Sequence, residues 1–526
     1  MAKRDVHIEI AVPTEGLHYE APPAIITPRS SPNLYANAYY GVVQKEYGTS
    51  LYCTGTTPIA VNALYEAKFV DNTILEAFTN TGMYQIVSGT SSNDGQAYTA
   101  AYTDLWSVCM HNNAMVYVNA KDHIQYKPLY NATGTSMVAL NSFKAHAVLS
   151  FKEHLCIYNV TETGQESYKR CRWTKAGNLS YNTADWSTGT ANFLDVQDVQ
   201  GQIINALPMG GGLAIVYGEG SIHIQEWVGG SSVFLFTKMV DNIEIPSPRG
   251  MVANDAIHYV LTRDNVYEYK GGKSITPIGD AIKNNLFTVA NPDNLNRAFL
   301  EYVREEDELH VWICATATYP DTCYICKVKD GYSWYKVQRH ATCAGKFKGG
   351  TSVRIIDLVG SIGGQTYTFG DLVATQSAPI YLYGHSDGHI VKRDITRFSI
   401  ISASTSTAQT FLFDSKAISS INDIDPLTKD KYNVSKYKDN DTRWIKTQIE
   451  ARGQGSMSVL YSTDEGDSFA PFSESPVTLS SDWDLYELDS DVAAPTFMIR
   501  VTNTGLNEYA AIDYMKVSFI PGAERI

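Results

Sequence analysis

The chain contains 526 residues, which is too long for one ordinary hydrophobic core unless a repeated architecture accommodates the length. Its 42 basic and 56 acidic residues give a net charge of −14, which argues against a protein that grips nucleic acid through clustered lysines and arginines. The sequence shows neither the apolar core of a secretory signal nor an apolar stretch of about 20 residues, so we expect synthesis in a cytoplasm.

Residues 1–60 are predicted to form an extended N-terminal arm. Prolines punctuate this segment at Pro13, Pro22, Pro23, Pro28 and Pro32, and its hydrophobic pattern is too irregular for a folded unit, although it accommodates one or two strands such as Val6–Ala11. We expect the arm to lie on other surfaces and to join neighbouring subunits. A disordered tail is the alternative.

The stretch from Ile203 to Pro277 contains one pattern twice: three short strands joined by tight turns, which is an antiparallel meander. Seven such meanders are predicted, at Leu64–Val87, Leu105–Lys127, Ala145–Trp173, Ile203–Trp227, Gly250–Lys270, Phe299–Val337 and Pro379–Arg393. Their spacing of roughly 47 residues is typical of propeller repeats. The sequence therefore predicts a β-propeller of about seven blades over residues 61–402, although six or eight blades also fit.

Two segments interrupt the meanders. A short connecting helix is predicted at Gly279–Leu286, between two of the strand groups. Glycines cluster within residues 341–376, which indicates an inserted loop or supplementary hairpin that projects from the propeller.

The pattern changes after residue 402. A serine- and threonine-rich bridge leads to a charged segment at 423–441 and then to regular alternating strands at 443–451, 456–461, 483–488, 496–501 and 511–520. Residues 403–526 are therefore predicted to form a C-terminal β-sandwich of jelly-roll type. The predicted fold class of the whole chain is all-β.

The stretch from Ser462 to Phe469 resembles an Asp-box, a turn motif of β-proteins. Asp464 is placed to accept hydrogen bonds from backbone amides of its own turn, Gly466 to adopt a positive φ angle, and Phe469 to pack beneath. We interpret Ser462, Asp464, Gly466 and Phe469 as a structural turn, because this motif is structural wherever it occurs.

Other candidate sites are weaker. The run from Arg304 to Glu308 contains paired carboxylates of the kind that glycoside hydrolysis requires, but its position between two strands predicts a solvated hairpin tip. Aspartates within 423–441 lack the spacing of a calcium loop. The eight cysteines are expected to be reduced and buried, and the zinc interpretation of Cys323 and Cys326, with Cys314 and Cys343, requires side chains on opposite faces of a strand. We expect no catalytic, metal or cofactor site.

The order of several strand ends and turns resembles that of the tail-hub or nozzle proteins of short-tailed bacteriophages, also called packaged-DNA stabilisation or tail tubular proteins. The similarity extends over residues 145–400 and is carried by Cys171-Arg172-Trp173, Asp185-Trp186, Asn192–Val196, Leu213–Tyr217, Ser221-Ile222, Ile243–Gly250, Asp264–Tyr267, Ile278–Asp280 and Lys329–Trp334. Each motif alone is a turn or a strand end, and the order carries the resemblance.

The resemblance implies a structural virion protein. Such a protein forms a ring, a homohexamer in this family, at the distal end of the tail, where it continues the DNA channel, retains packaged DNA and supports fibres or spikes during genome ejection. Its partners would be other copies of the chain, the tail adaptor proteins and the passing double-stranded DNA. The alternatives are a glycan-cleaving propeller of sialidase or depolymerase type, and a glycan- or protein-binding module with the sandwich as the binding domain.

Overall fold

The computed structural model of the chain describes residues 6–10, 12–13, 15–17, 30–31, 34–39, 42–53, 57, 59–70, 72–87, 89–133, 135–136, 143–348, 379–394, 396–397, 399–402, 405–419 and 442–520. Within them the predicted all-β class is confirmed. Strands are numbered in chain order.

Residues 6–51 contribute seven short strands to sheets that lie elsewhere in the chain. They are β1 (Val6–Ile10), β2 (Gly16–Leu17), β3 (Ser30–Ser31), β4 (Leu34–Tyr35), β5 (Asn37–Tyr39), β6 (Val42–Gln44) and β7 (Gly48–Leu51).

Seven sheets follow in chain order, each built on an antiparallel meander that overlaps one predicted meander. Sheet one contains β8 (Val61–Lys68), β9 (Thr73–Thr79), β10 (Met83–Val87) and β11 (Thr90–Asn93). Sheet two contains β12 (Ser107–His111), β13 (Ala114–Val118), β14 (Gln125–Lys127) and β15 (Thr135–Ser136). Sheet three contains β16 (Phe143–Phe151), β17 (His154–Glu162), β18 (Gln165–Trp173) and β19 (Asn192–Asp195). Sheet four contains β20 (Ile203–Met209), β21 (Leu213–Gly218), β22 (Gly220–Gly229) and β23 (Val233–Ile243).

The remaining three sheets continue this order. Sheet five contains β24 (Met251–Asn254), β25 (Ile257–Leu261), β26 (Val266–Tyr269) and β27 (Thr276–Pro277). Sheet six contains β28 (Phe299–Val303), β29 (Glu308–Ile313), β30 (Thr322–Lys327) and β31 (Ser333–Gln338). Sheet seven contains β32 (Cys343–Phe347), β33 (Ile380–Gly384) and β34 (Ile390–Asp394), and its fourth strand is β7 from the N-terminal segment.

Hydrophobic side chains pack between each pair of consecutive sheets and also between sheet seven and sheet one. Leu382 and Ile390 of sheet seven share a buried cluster with Val61 and Leu75 of sheet one. The other clusters join sheets one and two, two and three, three and four, four and five, and five to seven. All six residues of β29 are buried, because both faces of sheet six are covered by other parts of the chain.

A polar link accompanies each of these interfaces. Each link is a hydrogen bond between two residues. From the interface of sheets one and two to that of sheets seven and one, the pairs are Glu76 with Lys127, His111 with Ser150, Tyr158 with Gln225, Tyr217 with His258, Glu268 with Tyr332, Arg304 with Tyr381, and Thr342 with Val61. The Thr342 hydroxyl donates to the Val61 carbonyl at 2.5 Å. Hydrogen bonds therefore join each sheet to its neighbour in addition to the hydrophobic clusters.

Two further sheets form the C-terminal region, and a hairpin of β35 (Ser399–Ser402) and β36 (Thr405–Ala408) precedes them. Their strands are β37 (Phe411–Asp414), β38 (Ile418–Ser419), β39 (Arg443–Gln454), β40 (Ser456–Ser462), β41 (Ala470–Pro471), β42 (Val477–Thr478), β43 (Asp484–Ala493), β44 (Thr496–Asn503) and β45 (Tyr509–Ile520). One sheet has the order β43, β39, β45, β6, β5, and the other has the order β4, β37, β44, β40, β41. Trp444 of the first sheet stacks on Phe497 of the second, with ring centroids 5.1 Å apart.

The N-terminal segment pairs with several sheets. The predicted strand Val6–Ala11 is observed as β1, which pairs with β45 and alternates exposed His7 and Glu9 with buried Ile8 and Ile10. Strands β5 and β6 extend the same C-terminal sheet, and β4 pairs with β37 in the other. Strand β2 pairs with β31 of sheet six and with β3, both in parallel. The segment thus contributes strands to sheets six and seven and to both C-terminal sheets.

The connecting helix begins four residues later than predicted. It is α1 (Lys283–Val289), because Gly279–Ile282 form a turn in which the Ile282 amide donates to the Gly279 carbonyl. Single 3-10 turns occur at Thr183–Trp186, Gly210–Gly212 and Pro292–Arg297. No helix in the described part of the chain is long and apolar enough to cross a membrane.

The glycine-rich insertion is predicted at 341–376. Its first residues form β32, which is the first strand of sheet seven, where Gly345 lies against Leu64 of sheet one so closely that a Cβ atom would be 2.5 Å from the Leu64 Cβ. Residues 349–378 lie outside the described residues.

Candidate functional site

Loops that precede the first strands of several sheets converge on Arg249. The Arg249 guanidinium donates to the Asn62 carbonyl of sheet one at 3.2 Å and to the Thr342 carbonyl, just before sheet seven, at 3.0 Å. It also donates to the Arg297 carbonyl, just before sheet six, at 3.4 Å. Arg249 itself precedes sheet five, so one side chain joins the starts of four sheets. We call these loops and their side chains the central loop cluster.

Aromatic rings surround the Arg249 side chain. Its guanidinium lies 4.3 Å from the centre of the Tyr102 ring, and the Tyr102 hydroxyl donates to the Thr342 carbonyl at 2.5 Å. Burial raises the pKa of Tyr102 to about 12, although the Arg249 charge acts in the opposite direction. The phenol therefore stays protonated at neutral pH and serves as a hydrogen-bond donor.

A row of ring contacts continues from Tyr102 to sheet seven. Tyr102 packs edge to face on Tyr319 at 4.7 Å, Tyr319 contacts His340, and His340 contacts His385 at 5.4 Å. His385 is buried, and neither of its ring nitrogens has a hydrogen-bond partner within the described residues. Burial lowers the pKa of His385 to about 4, so the ring is neutral at pH 7. This side of the cluster is a packed row of aromatic and histidine rings, with the Arg297 guanidinium 5.6 Å from the centre of the Tyr319 ring.

A cavity of about 220 Å³ adjoins the central loop cluster. It opens between the loops that precede sheets two, four and five, and its polar lining includes Asp104, His146, Gln202 and Glu219. Gln202 donates to the Glu219 carboxylate at 2.9 Å, so that part of the lining is fixed. The cavity is smaller than a typical small-molecule site, and polar side chains form part of its lining.

A second group of charged residues is buried where the N-terminal segment meets sheets six and seven. Glu46, which is 1% exposed, accepts hydrogen bonds from Arg339 at 3.2 Å, from Arg393 at 2.9 Å and from Asn37 at 2.6 Å. Burial opposes ionisation of Glu46, but the charges of Arg393 and Arg339 outweigh it and hold the pKa of Glu46 below its usual value. We call Glu46, Arg339, Arg393 and Glu308 the buried ion network.

The prediction of a solvated hairpin tip at 304–308 is wrong for Glu308. Residues Arg304–Asp307 form the turn, but Glu308 is fully buried in β29 and bonds His310 at 2.9 Å and Lys327. Burial opposes its ionisation, yet the hydrogen bond and charge of His310, with Arg393 and Lys327, hold the pKa of Glu308 well below its usual value. Glu306 of the turn pairs with Arg393. These carboxylates are engaged with cations that lie in the packed interface between sheets six and seven.

The predicted structural turn lies between β40 and β41. Asp464 accepts from the Ser468 amide at 2.9 Å and from the Ser462 hydroxyl at 2.6 Å, and the Gly466 amide donates to the Ser462 hydroxyl at 2.9 Å. Gly466 has a φ of +99°, which a side chain rarely adopts. The Phe469 ring lies under the Arg500 guanidinium at 3.6 Å. The turn and the central loop cluster belong to different parts of the fold.

The remaining sequence candidates form no site in the described part of the chain. All eight cysteines are buried free thiols, and no group of three or more histidine, cysteine or acidic residues has the geometry of a metal site among the described residues. Asp425, Asp430 and Asp439 lie outside the described residues, as does Asp441.

The sequence patterns did not indicate Arg249 or the residues of the buried ion network. Arg249 lies in the stretch Ile243–Gly250, which reads as a turn, and its only signal is an arginine between Pro248 and Gly250 immediately before a strand. Glu46, Arg339 and Arg393 come from three distant parts of the chain, and no spacing in the sequence connects them.

Neither a protein-family model nor a curated protein matches the chain. Among solved structures, the chain is similar to the N-terminal domain of BBS1 in complex with ARL6, with a TM-score of 0.38 and 9% identity over 67% of this chain and 97% of that chain. It is also similar to the computationally designed Ika8 protein, with a TM-score of 0.35 and 10% identity over 67% of this chain and 100% of that chain. A family 29 carbohydrate-binding module matches with a TM-score of 0.14 and 15% identity over 21% of this chain and 67% of that chain. These scores do not establish a shared fold.

Proposed function

We propose that sheets one to seven are the blades of a seven-bladed β-propeller and that the C-terminal pair of sheets is a β-sandwich. The proposal is supported by the hydrophobic clusters that join each sheet to the next and join sheet seven to sheet one. It is also supported by β7, which comes from the start of the chain and completes the last sheet. Such a strand would connect the first and last blades of a ring.

We propose further that the chain is a structural virion protein that forms the nozzle or hub at the distal end of a short phage tail. One observation carries the proposal: residues 6–51 contribute strands to sheets six and seven and to both C-terminal sheets. Force applied to any one of these parts is therefore transmitted to the others through backbone hydrogen bonds. This arrangement suits a component that must resist the pressure of packaged DNA, and it agrees with the resemblance to phage nozzle proteins.

In this proposal the DNA channel runs between copies in the ring and not through the centre of one chain. Arg249 bonds the starts of sheets one, five, six and seven, so the centre of the seven sheets is crossed by a side chain and its partners. A net charge of −14 suits a ring through which a duplex must slide without being held. A ring of identical copies, six in the family that the chain resembles, requires heterologous contacts that close.

The partners in this proposal are other copies of the chain, the adaptor proteins nearer the capsid, and fibres or spikes. Its test is immunogold labelling of purified virions with an antibody against this chain. Gold at the tip of the short tail is the expected result. Absence of the chain from purified virions would contradict the proposal, whereas gold on the capsid surface would support a virion protein with another position.

A further inference from the structure

We propose that a cleft between sheets three and four binds a neutral carbohydrate, with Trp227 as the surface on which one sugar ring stacks. The cleft has a volume of about 390 Å³, which lies within the roughly 300 to 1,000 Å³ of small-molecule sites. Its lining includes Lys152, His154, Ala176, Thr190, Trp227 and Gly230. This inference concerns a separate site and does not depend on the proposed tail function.

Trp227 is the exposed end of a buried group of aromatic side chains. Phe234, which is 1% exposed, packs on Trp173 and His154 of sheet three at 5.2 and 5.3 Å. Trp227 is paired with Phe234 across β22 and β23, and directly opposed residues of antiparallel strands project from the same face. Trp227 nevertheless remains 54% exposed, so the interface between the two sheets opens into a cleft with a free indole surface.

The turn beside Trp227 brings the backbone close to one side of the indole. Gly229 has a φ of +70°, and a Cβ atom there would lie 3.4 Å from the Trp227 ring. Gly230 has a φ of +63°, and a Cβ atom at that position would meet no other atom within 4 Å, so the turn is open at Gly230. An aromatic side chain with few rotatable bonds loses little conformational entropy when a ligand stacks on it.

Charged groups of both signs lie at the rim of the cleft. Lys152 and Glu153 occupy the tight turn between β16 and β17 with φ angles of 49° and 63°, and neither side chain makes an ion pair within the described residues. An ammonium donates hydrogen bonds and a carboxylate accepts them. A ligand that engages both must donate and accept, which the hydroxyl groups of a neutral sugar do.

A proline-rich peptide is the other class of ligand that stacks well on an exposed indole. The presence of both a cation, Lys152, and an anion, Glu153, at the rim favours a sugar over such a peptide. Proline residues have no N–H group, so such a peptide could use Lys152 but would leave Glu153 without a donor. The two ligand classes therefore differ in whether the Glu153 carboxylate contributes to binding.

The test is calorimetric titration of the full chain with linear neutral hexasaccharides of glucose, galactose and mannose, and with an N-acetylated hexaproline peptide, which has no N–H donor. We expect at least one hexasaccharide to bind. Trp227→Ala should weaken that binding by about tenfold or more, and Glu153→Gln should weaken it to a smaller extent. Trp483→Ala is the matched control, because Trp483 is also exposed, at 37%, and lies under Arg452 in the C-terminal region.

Circular dichroism and thermal unfolding of each variant establish that the fold is intact, which is expected because both tryptophans are exposed. Binding of the peptide with no binding of any hexasaccharide would overturn the proposal. Absence of all binding, or equal weakening by Trp227→Ala and Trp483→Ala, would overturn it as well.

Discussion

The seven consecutive sheets and the C-terminal pair of sheets are assembled in opposite ways. Each of sheets one to five consists of strands that follow one another in the chain, so its hydrogen bonds connect residues that are close in sequence. Each C-terminal sheet combines strands from both ends of the chain, as in the pairing of β1 with β45. The first region is therefore specified locally, whereas the second depends on residues more than 370 positions away.

Sheets six and seven combine the two modes of assembly. They are meanders, but β2 is added to sheet six and β7 completes sheet seven. The buried ion network lies at this junction, where Glu46 of the N-terminal segment meets Arg339 and Arg393. The N-terminal segment is therefore an element through which the two regions are joined, together with the hydrophobic cluster that they share.

The largest expected effect follows from removal of residues 1–47, which deletes β1 to β6 and Glu46 but keeps β7. The C-terminal sheets lose four strands, and we expect them to lose most of their share of a net folding free energy that is about 5 to 15 kcal/mol for a typical domain. Hydrogen exchange measured by mass spectrometry should show rapid exchange in residues 443–520 and retained protection in sheets two to four. Unchanged protection in 443–520 would mean that the two regions are not joined in this way.

Arg393→Ala tests the junction without removing a strand. It leaves Glu46 and Glu308 buried with fewer cations, and breaking a buried ion pair costs about 3 to 5 kcal/mol in the free energy of unfolding. Urea denaturation gives this quantity. Arg443→Ala is the matched control, because the Arg443 and Asp491 side chains are more than half exposed and should have no measurable effect. A similar result for the two variants would contradict a stabilising role for the network.

Arg249→Ala tests the central loop cluster. The substitution removes the guanidinium donor of the Asn62 and Arg297 carbonyls and one of the two donors of the Thr342 carbonyl, and an unsatisfied buried acceptor costs about 1 to 3 kcal/mol. Arg249→Lys should recover only part of the loss, because an ammonium cannot donate in the planar geometry of a guanidinium. Arg263→Ala, at an exposed ion pair with Glu244, is the control. Thermal unfolding of the three variants decides whether Arg249 stabilises the central loop cluster.

Two buried carboxylates should give opposite dependences of stability on pH. The pKa of Glu46 is held below its usual 4.5, so its contribution is complete above pH 4.5 and is lost as the pH falls further. Burial raises the pKa of Glu76 to about 7 despite the Lys127 charge, so Glu76 costs increasing stability as the pH rises from 4.5 to 7. In Glu76→Gln, the free energy of unfolding should decline less steeply between pH 4.5 and 7. The same pH dependence in the variant and the original chain would contradict a raised pKa of Glu76.

Local patterns allow the strands to be predicted well. The seven meanders, the C-terminal strands and the turn at Ser462–Phe469 all follow from alternating hydrophobic residues and turn residues that lie within a few positions of each other. The connecting helix is displaced by four residues because its first predicted residues form a turn. Helix ends are the least well specified feature of such patterns.

Long-range contacts could not be predicted. Nothing in the sequence of residues 6–51 indicates that their strands pair with β31, β34, β37 and β45, because pairing partners are selected by edges that form only in the folded chain. The burial of Glu308 was missed for the same reason, since its cations come from β30 and β34 as well as its own strand. Arg249 was missed because its acceptors are backbone carbonyls, which carry no sequence signal.

Single-particle electron microscopy of the purified chain would show whether copies assemble into a ring around a DNA channel. We expect closed rings of copies, each copy a disc of seven radial blades with a second density for the C-terminal sheets, and a channel between copies instead of through a disc. Particles that are strictly monomeric at every protein concentration, or discs with an open centre at the position of Arg249, would contradict this expectation.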